Sequence, residues 1–114
     1  MTLYESFLEA VTTEYDTLRV LKQSPRGTVS VVRHKKSGTR YVFRRYSGSG
    51  EVYRRLLPVL CPHLPQIMEA AEQDGQTAVL EEYVQGDTLA ELLMGARLTE
   101  REARQVTMQL CQAL

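Results

Sequence analysis

Tyr15-Asp16-Thr17-Leu18-Arg19-Val20-Leu21, Thr28-Val29-Ser30-Val31-Val32 and Arg40-Tyr41-Val42-Phe43-Arg44-Arg45-Tyr46 are three runs parted by two turns, and their reading decides the fold. Each run alternates polar and apolar residues, or is rich in β-branched ones, as a half-buried strand requires. Ser24-Pro25-Arg26-Gly27 makes the first turn: Pro25 presets its φ and Gly27 supplies a permissive position. Lys35-Lys36-Ser37-Gly38 makes the second. Neighbouring runs are close enough to pair, which predicts an antiparallel meander. Alternation puts Tyr41 and Phe43 on one face with Val42 on the other, and sends Arg44 and Arg45 to opposite faces.

The rest of the chain is read outward from this meander. Before it, Thr2 and Glu5 have the spacing of a capping box, and Leu3, Phe7, Leu8 and Val11 share a helical face. After it, Ser47-Gly48-Ser49-Gly50 is flexible. Val52, Leu56, Val59 and Leu60 then give helical spacing over Glu51–Leu60, with Pro58 distorting or ending the last turn. Cys61-Pro62-His63-Leu64-Pro65 is a rigid connector. Ile67–Ala71 and Thr77–Val84 read as strands about an Asp74-Gly75 turn. A short helix follows over Thr88–Met94. Thr99 and Glu102 begin a longer one, with Ala103, Val106, Leu110 and Leu114 on one face. The expected class is α+β: a five-stranded antiparallel sheet with one inserted helix, an N-terminal helix and C-terminal helices.

Composition narrows the function. The chain has 114 residues, 43% of them apolar, enough for one modest core but too few for a site built between two full domains. Lys plus Arg and Asp plus Glu are 14 each, so no strongly basic nucleic-acid surface is expected. The cluster Arg26, Arg33, Lys35, Lys36, Arg40, Arg44 and Arg45 lacks interleaved aromatics. With two cysteines, a disulfide scaffold is excluded. Cys61 and His63 have no second pair at zinc spacing, so no metal site is expected. No apolar run spans a membrane and no signal peptide is read, which predicts a cytoplasmic protein without a membrane partner.

The order of elements, with the residues at its joints, resembles the amino-terminal lobe of a eukaryotic-type serine/threonine protein kinase of the kind found in bacteria. The resemblance begins near Tyr15 and covers the hundred residues that follow. Leu21-Lys22-Gln23-Ser24-Pro25-Arg26-Gly27-Thr28-Val29 lies where that family has its glycine-rich loop. Val42-Phe43-Arg44 lies at its third-strand Ala-x-Lys, and Glu51 near the paired glutamate of its C helix. Leu60-Cys61-Pro62-His63-Leu64-Pro65-Gln66-Ile67 looks like the connector into strand four. Glu82-Tyr83-Val84-Gln85-Gly86-Asp87-Thr88-Leu89, the most specific piece, looks like the hinge and the start of the next helix. The implied division is an N-terminal helix over 1–14, a kinase-like lobe over 15–86, and over 87–114 the helical start of a carboxy-terminal lobe.

The resemblance implies ATP and Mg²⁺ as family cofactors, with Gly27, Arg44, Glu51, Glu82 and Val84 at the nucleotide positions. Glu82 and Val84 would act through a backbone carbonyl and a backbone N–H against an adenine edge. The departures matter more. Of the loop glycines only Gly27 remains; Lys22 and Ser24 replace the others, and Pro25 offers no N–H. The segment reads either as a plain β-turn or as an altered nucleotide cover. Arg44 replaces the lysine, exchanging a compact charge for a planar fork; it either pairs with Glu51 or makes no contact with it. Glu81, at the gatekeeper position before the hinge, is costly beside an adenine slot unless paired or turned to water. Its plainer reading is a surface residue on an edge-proximal strand.

The chain ends before any catalytic-loop His-Arg-Asp or metal-binding Asp-Phe-Gly. The expectation is therefore an incomplete, truncated kinase-like domain without catalytic residues, inactive alone and with no cofactor expected bound. The alternative is a stand-alone interaction module or pseudokinase-like regulator. Without a second lobe the last helix would expose Val106, Leu110 and Leu114, and the hinge side would expose Tyr83, Leu89, Leu92 and Leu93. A homodimer through these surfaces is expected.

Overall fold

The computed structural model describes residues 2–62, 64–86, 89–95 and 97–113, with the Leu92 side chain excepted. Described residues fall into two compact units, one reaching Leu60 and including Gln66–Tyr83, the other built from Cys61–Pro65 and Val84 onward.

The first unit is a single antiparallel sheet with two helices. Its strands are β1 (Tyr15–Ser24), β2 (Gly27–His34), β3 (Arg40–Ser47), β4 (Ile67–Gln73) and β5 (Gln76–Glu82). They lie in the order β1-β2-β3-β5-β4, so β5 is an interior strand and β1 and β4 are the edges. The meander forms as the alternation predicts, with Ser24 opposite Gly27 at the first turn and Arg33 opposite Arg40 at the second. The β4–β5 turn takes Asp74 and Gly75 into the left-handed region, at φ 51° and 76°. This is the conformation that an Asp-Gly hairpin supplies.

Gly27 serves differently from a turn glycine. Its φ is not left-handed. A Cβ at this position would overlap the Arg45 carbonyl oxygen on β3. The residue is therefore small because two strand backbones approach closely there, not because the turn needs a positive φ.

Each face of the sheet carries one helix. On the first face α1 (Leu3–Glu14) lays Tyr4, Phe7, Leu8 and Val11 against Val32, Phe43, Ala78 and Leu80, joined by Tyr15 and Tyr41. Phe7 and Phe43 meet at 5.8 Å between ring centroids. The Thr2–Glu5 capping box is present. Leu3 is 75% exposed, and Tyr4 takes the place expected of it on the packed face. On the second face Tyr53 and Leu56 of α2 (Glu51–Leu56), with Leu57 just past it, pack on Ile67, Ala70 and Val79. This helix runs only Glu51–Leu56, shorter than the helical spacing suggests. Continuing it would drive the Pro58 ring into the Arg54 carbonyl and remove a donor. The chain instead tightens, with the Val59 N–H donating to the Leu56 carbonyl at 3.0 Å.

The second unit holds α3 (Leu89–Gly95) and α4 (Glu100–Ala113). The expected start of the first of these, Asp87 and Thr88, lies outside the described residues. Thr99 and Glu102 form their capping box: the Thr99 N–H donates to Glu102 Oε1 at 3.0 Å, and the Glu102 N–H to Thr99 Oγ1 at 3.1 Å. These bonds favour the ionised carboxylate and hold its pKa below the ordinary value. Among the described residues no helix is long and apolar enough to cross a membrane.

Candidate functional site

A cleft of about 600 Å³ opens on the α2 face, under the β1–β2 hairpin. The hairpin gives it Lys22, Ser24, Arg26 and Gly27; β2 gives Thr28 and Val29; β3 gives Arg44, Arg45 and Tyr46; Ser49 and α2 close it with Val52, Tyr53 and Leu56. Strand register explains the placement. Lys22 lies opposite Val29, and Val29 opposite Arg44, so the three side chains share one face. A register shift between Val20 and Lys22 re-aims β1 just before Lys22. Tyr46 and Tyr53 meet at 6.1 Å between centroids, and the Tyr46 hydroxyl donates to the Ser49 carbonyl at 2.8 Å. Burial pushes the Tyr46 phenol up, while the Thr77 side chain and Arg44 pull it partly back.

Arg44 is the centre of the site, and its partner is Glu81. Arg44 Nε donates to Glu81 Oε1 at 2.7 Å. Glu81 is 7% exposed, so the reading of it as a surface residue is corrected, although its strand β5 does lie beside the edge strand β4. The two sit diagonally: Arg44 faces Val79 and Glu81 faces Val42 across the β3–β5 ladder. Buried, with Val42 and Ile67 opposite it on the neighbouring strands, a carboxylate would be costly unpaired; the guanidinium offsets that cost. Glu51 is engaged elsewhere. It accepts from Arg55 Nη2 at 2.7 Å, an exposed contact one helical turn away. An Arg44–Glu51 pair, one of the two options open in the sequence, does not form. A second link pins α2 to the sheet, from Arg54 Nη2 to Glu72 Oε1 at 3.0 Å.

The residues singled out in the sequence are thus partly brought together. Gly27 and Arg44 line one cleft, and Glu51 lies at the start of the helix beside it but outside its lining. Glu82 closes β5, its N–H donating to the Gln66 carbonyl at 2.8 Å. Val84 is exposed and belongs to the second unit. Sequence reading missed Glu81 as the partner of Arg44, and Lys22 and Arg26 as cleft residues. A signal for Glu81 was there: a charge ending the apolar run Ala78-Val79-Leu80 on a central strand needs a cation on the same face. Among the described residues no three His, Cys, Asp or Glu side chains cluster as a metal site, and His63 lies outside those residues.

With this geometry in place, the chain can be set beside solved structures. It superposes on Rad53, residues 1–466 in complex with AMP-PNP, with a TM-score of 0.76 at 16% identity over 96% of this chain. It superposes on the Mycobacterium tuberculosis PknI kinase domain with a TM-score of 0.64 at 20% identity over 86% of this chain. The fold is that of a protein-kinase amino-terminal lobe. The kinase-lobe match extends over 33% of the Rad53 chain and 45% of the PknI chain, so this chain spans less than half of either. No protein-family model and no curated protein sequence matches it.

Proposed function

We propose that this kinase-like lobe works as a non-catalytic binding module, pseudokinase-like in character, rather than as a phosphotransferase. The observation that carries this reading is the Arg44–Glu81 ion pair. The strand-three cation of a working kinase must be free to reach the nucleotide phosphates and to pair with the C-helix glutamate. Here its counterpart gives Nε to a buried carboxylate at the gatekeeper position, and the helix glutamate is paired with Arg55. Lys22, Ser24 and Pro25 stand where phosphate-cradling backbone is needed, and Pro25 has no N–H to give. These residues do not fit MgATP as the family holds it.

The test is a pair of measurements on the purified chain. Titration with ATP, with and without Mg²⁺, is expected to show no Mg²⁺-dependent binding, and radiolabelled ATP no transfer to a generic substrate. Mg²⁺-dependent saturation that is lost in Arg44→Ala would overturn the reading.

Self-association is proposed for the second unit. Leu89, Leu93, Met94, Met108 and Leu110 are all exposed, more apolar surface than a short helical pair ordinarily leaves in water. The association proposed is a homodimer through these helices and the hinge-side surface, in keeping with a binding module. Sedimentation at micromolar concentration is expected to show a dimer; a monomer throughout would remove this part of the proposal.

A further inference from the structure

We propose that the cleft under the β1–β2 hairpin binds a phosphorylated serine or threonine on an extended peptide, without a metal ion. The inference rests on the non-catalytic reading and names the partner chemistry for that site.

Charge is the first argument. Lys22, Arg26, Arg44 and Arg45 line the cleft, and no carboxylate does. Lys22 and Arg26 have no carboxylate partner among the described residues. Arg44 commits only Nε to Glu81, which leaves its terminal nitrogens without an acceptor among those residues. Four cations against the one paired carboxylate leave the cleft positive, and a phosphomonoester carries about −1.5 to −2 at neutral pH. Guanidinium forks and an ammonium suit its oxygens.

Shape is the second argument. The lining includes neither Val42 nor Glu81 nor Glu82, so the cleft does not run on to the hinge strand where a base would seat. It ends against Val52, 66% exposed, and Leu56, an apolar shelf for the residue beside the phosphate. Among the described residues β1 has β2 as its sole strand neighbour, so its outer edge offers backbone donors and acceptors to an extended chain. Single-stranded nucleic acid is disfavoured, because the two rings in the cleft pack on each other and are not free stacking platforms.

The test is nitrogen-15 NMR titration of the purified chain in EDTA with a pool of short phosphoserine peptides of randomised flanks. The unphosphorylated pool, ATP and a short oligonucleotide serve as parallel probes. The phosphorylated pool alone is expected to shift the amides of Lys22–Val29 and Arg44, with affinity falling as salt rises. Lys22→Ala and Arg26→Ala are each expected to weaken binding about tenfold, the loss of one charge-assisted contact. Arg40→Ala, an exposed cation outside the cleft lining, is expected to leave it unchanged. No phosphate-dependent shift, an equal loss in Arg40→Ala, or tighter binding of the oligonucleotide overturns the inference. Silence from every probe would defeat this inference alone. Mg²⁺-dependent ATP binding would defeat the non-catalytic reading beneath it.

Discussion

The two faces of the sheet are made by the same five strands, yet they are built on different chemistry. The α1 face is closed by aromatic and aliphatic contact: Phe43, Leu80 and Val32 under Phe7, Leu8 and Val11, with Tyr15 and Tyr41 edge-on at 5.8 Å. The α2 face has a smaller apolar centre, Ile67, Ala70 and Val79, and beside it carries Lys22, Arg44 and Glu81. One face is packed for stability. The other gives up packing to hold charge next to an open cleft, and charge held in that way is where a binding function is expected.

The largest effect should come from breaking the packed face. Phe43→Ala removes a buried ring that β3 presents to α1, and is expected to cost about 3–5 kcal/mol in chemical denaturation. Its binding behaviour should change only in proportion to the unfolded fraction.

The charged face should respond differently. Arg44→Ala leaves the buried Glu81 carboxylate unpaired; a fully buried pair would lose about 3–5 kcal/mol, and with Arg44 over a third exposed about 2 kcal/mol is expected. The double change Arg44→Met with Glu81→Leu is expected to recover most of that loss, since an apolar pair of similar volume needs no partner. Failure of the double variant to recover would mean the pair is not what holds these two strands together.

Thr2→Ala is a smaller probe of the packed face. It deletes the capping hydroxyl of α1 and its bond to Gln73 at 2.5 Å, and should cost about 1 kcal/mol. The smallest effect is alkaline. Burial, then the nearby Tyr41 and Glu14, push the Tyr15 phenol up. Its folded pKa lies above its unfolded value of 10.0, so its contribution is intact below pH 10 and is lost as pH rises through the folded value. Tyr15→Phe should flatten the fall in stability above pH 10, measured by denaturation at stepped pH.

The packed face was the more legible of the two. Alternation in Arg40–Tyr46 placed Phe43 and Tyr41 together, and the Thr2–Glu5 spacing gave the start of α1, because both depend on local period and local capping. Leu3 was misplaced by one position because Tyr4 satisfies the same helical stripe. The length of α2 was overread because apolar spacing continues past Pro58, whereas the backbone cannot. The charged face was less legible for a physical reason. Which carboxylate meets Arg44 depends on the β3–β5 register, and some thirty residues of intervening chain separate those two strands. Glu51, nearer in sequence and suggested by resemblance, has a closer partner one turn along its own helix.

The central claim is that Glu81 holds Arg44 away from nucleotide chemistry. Isothermal calorimetry with ATP into the purified chain, with Mg²⁺ and again in EDTA, tests it most directly. The two heats are predicted to coincide up to millimolar ATP, for the native chain and for Arg44→Ala alike. A saturating signal present only with Mg²⁺, and abolished in Arg44→Ala, would contradict the account.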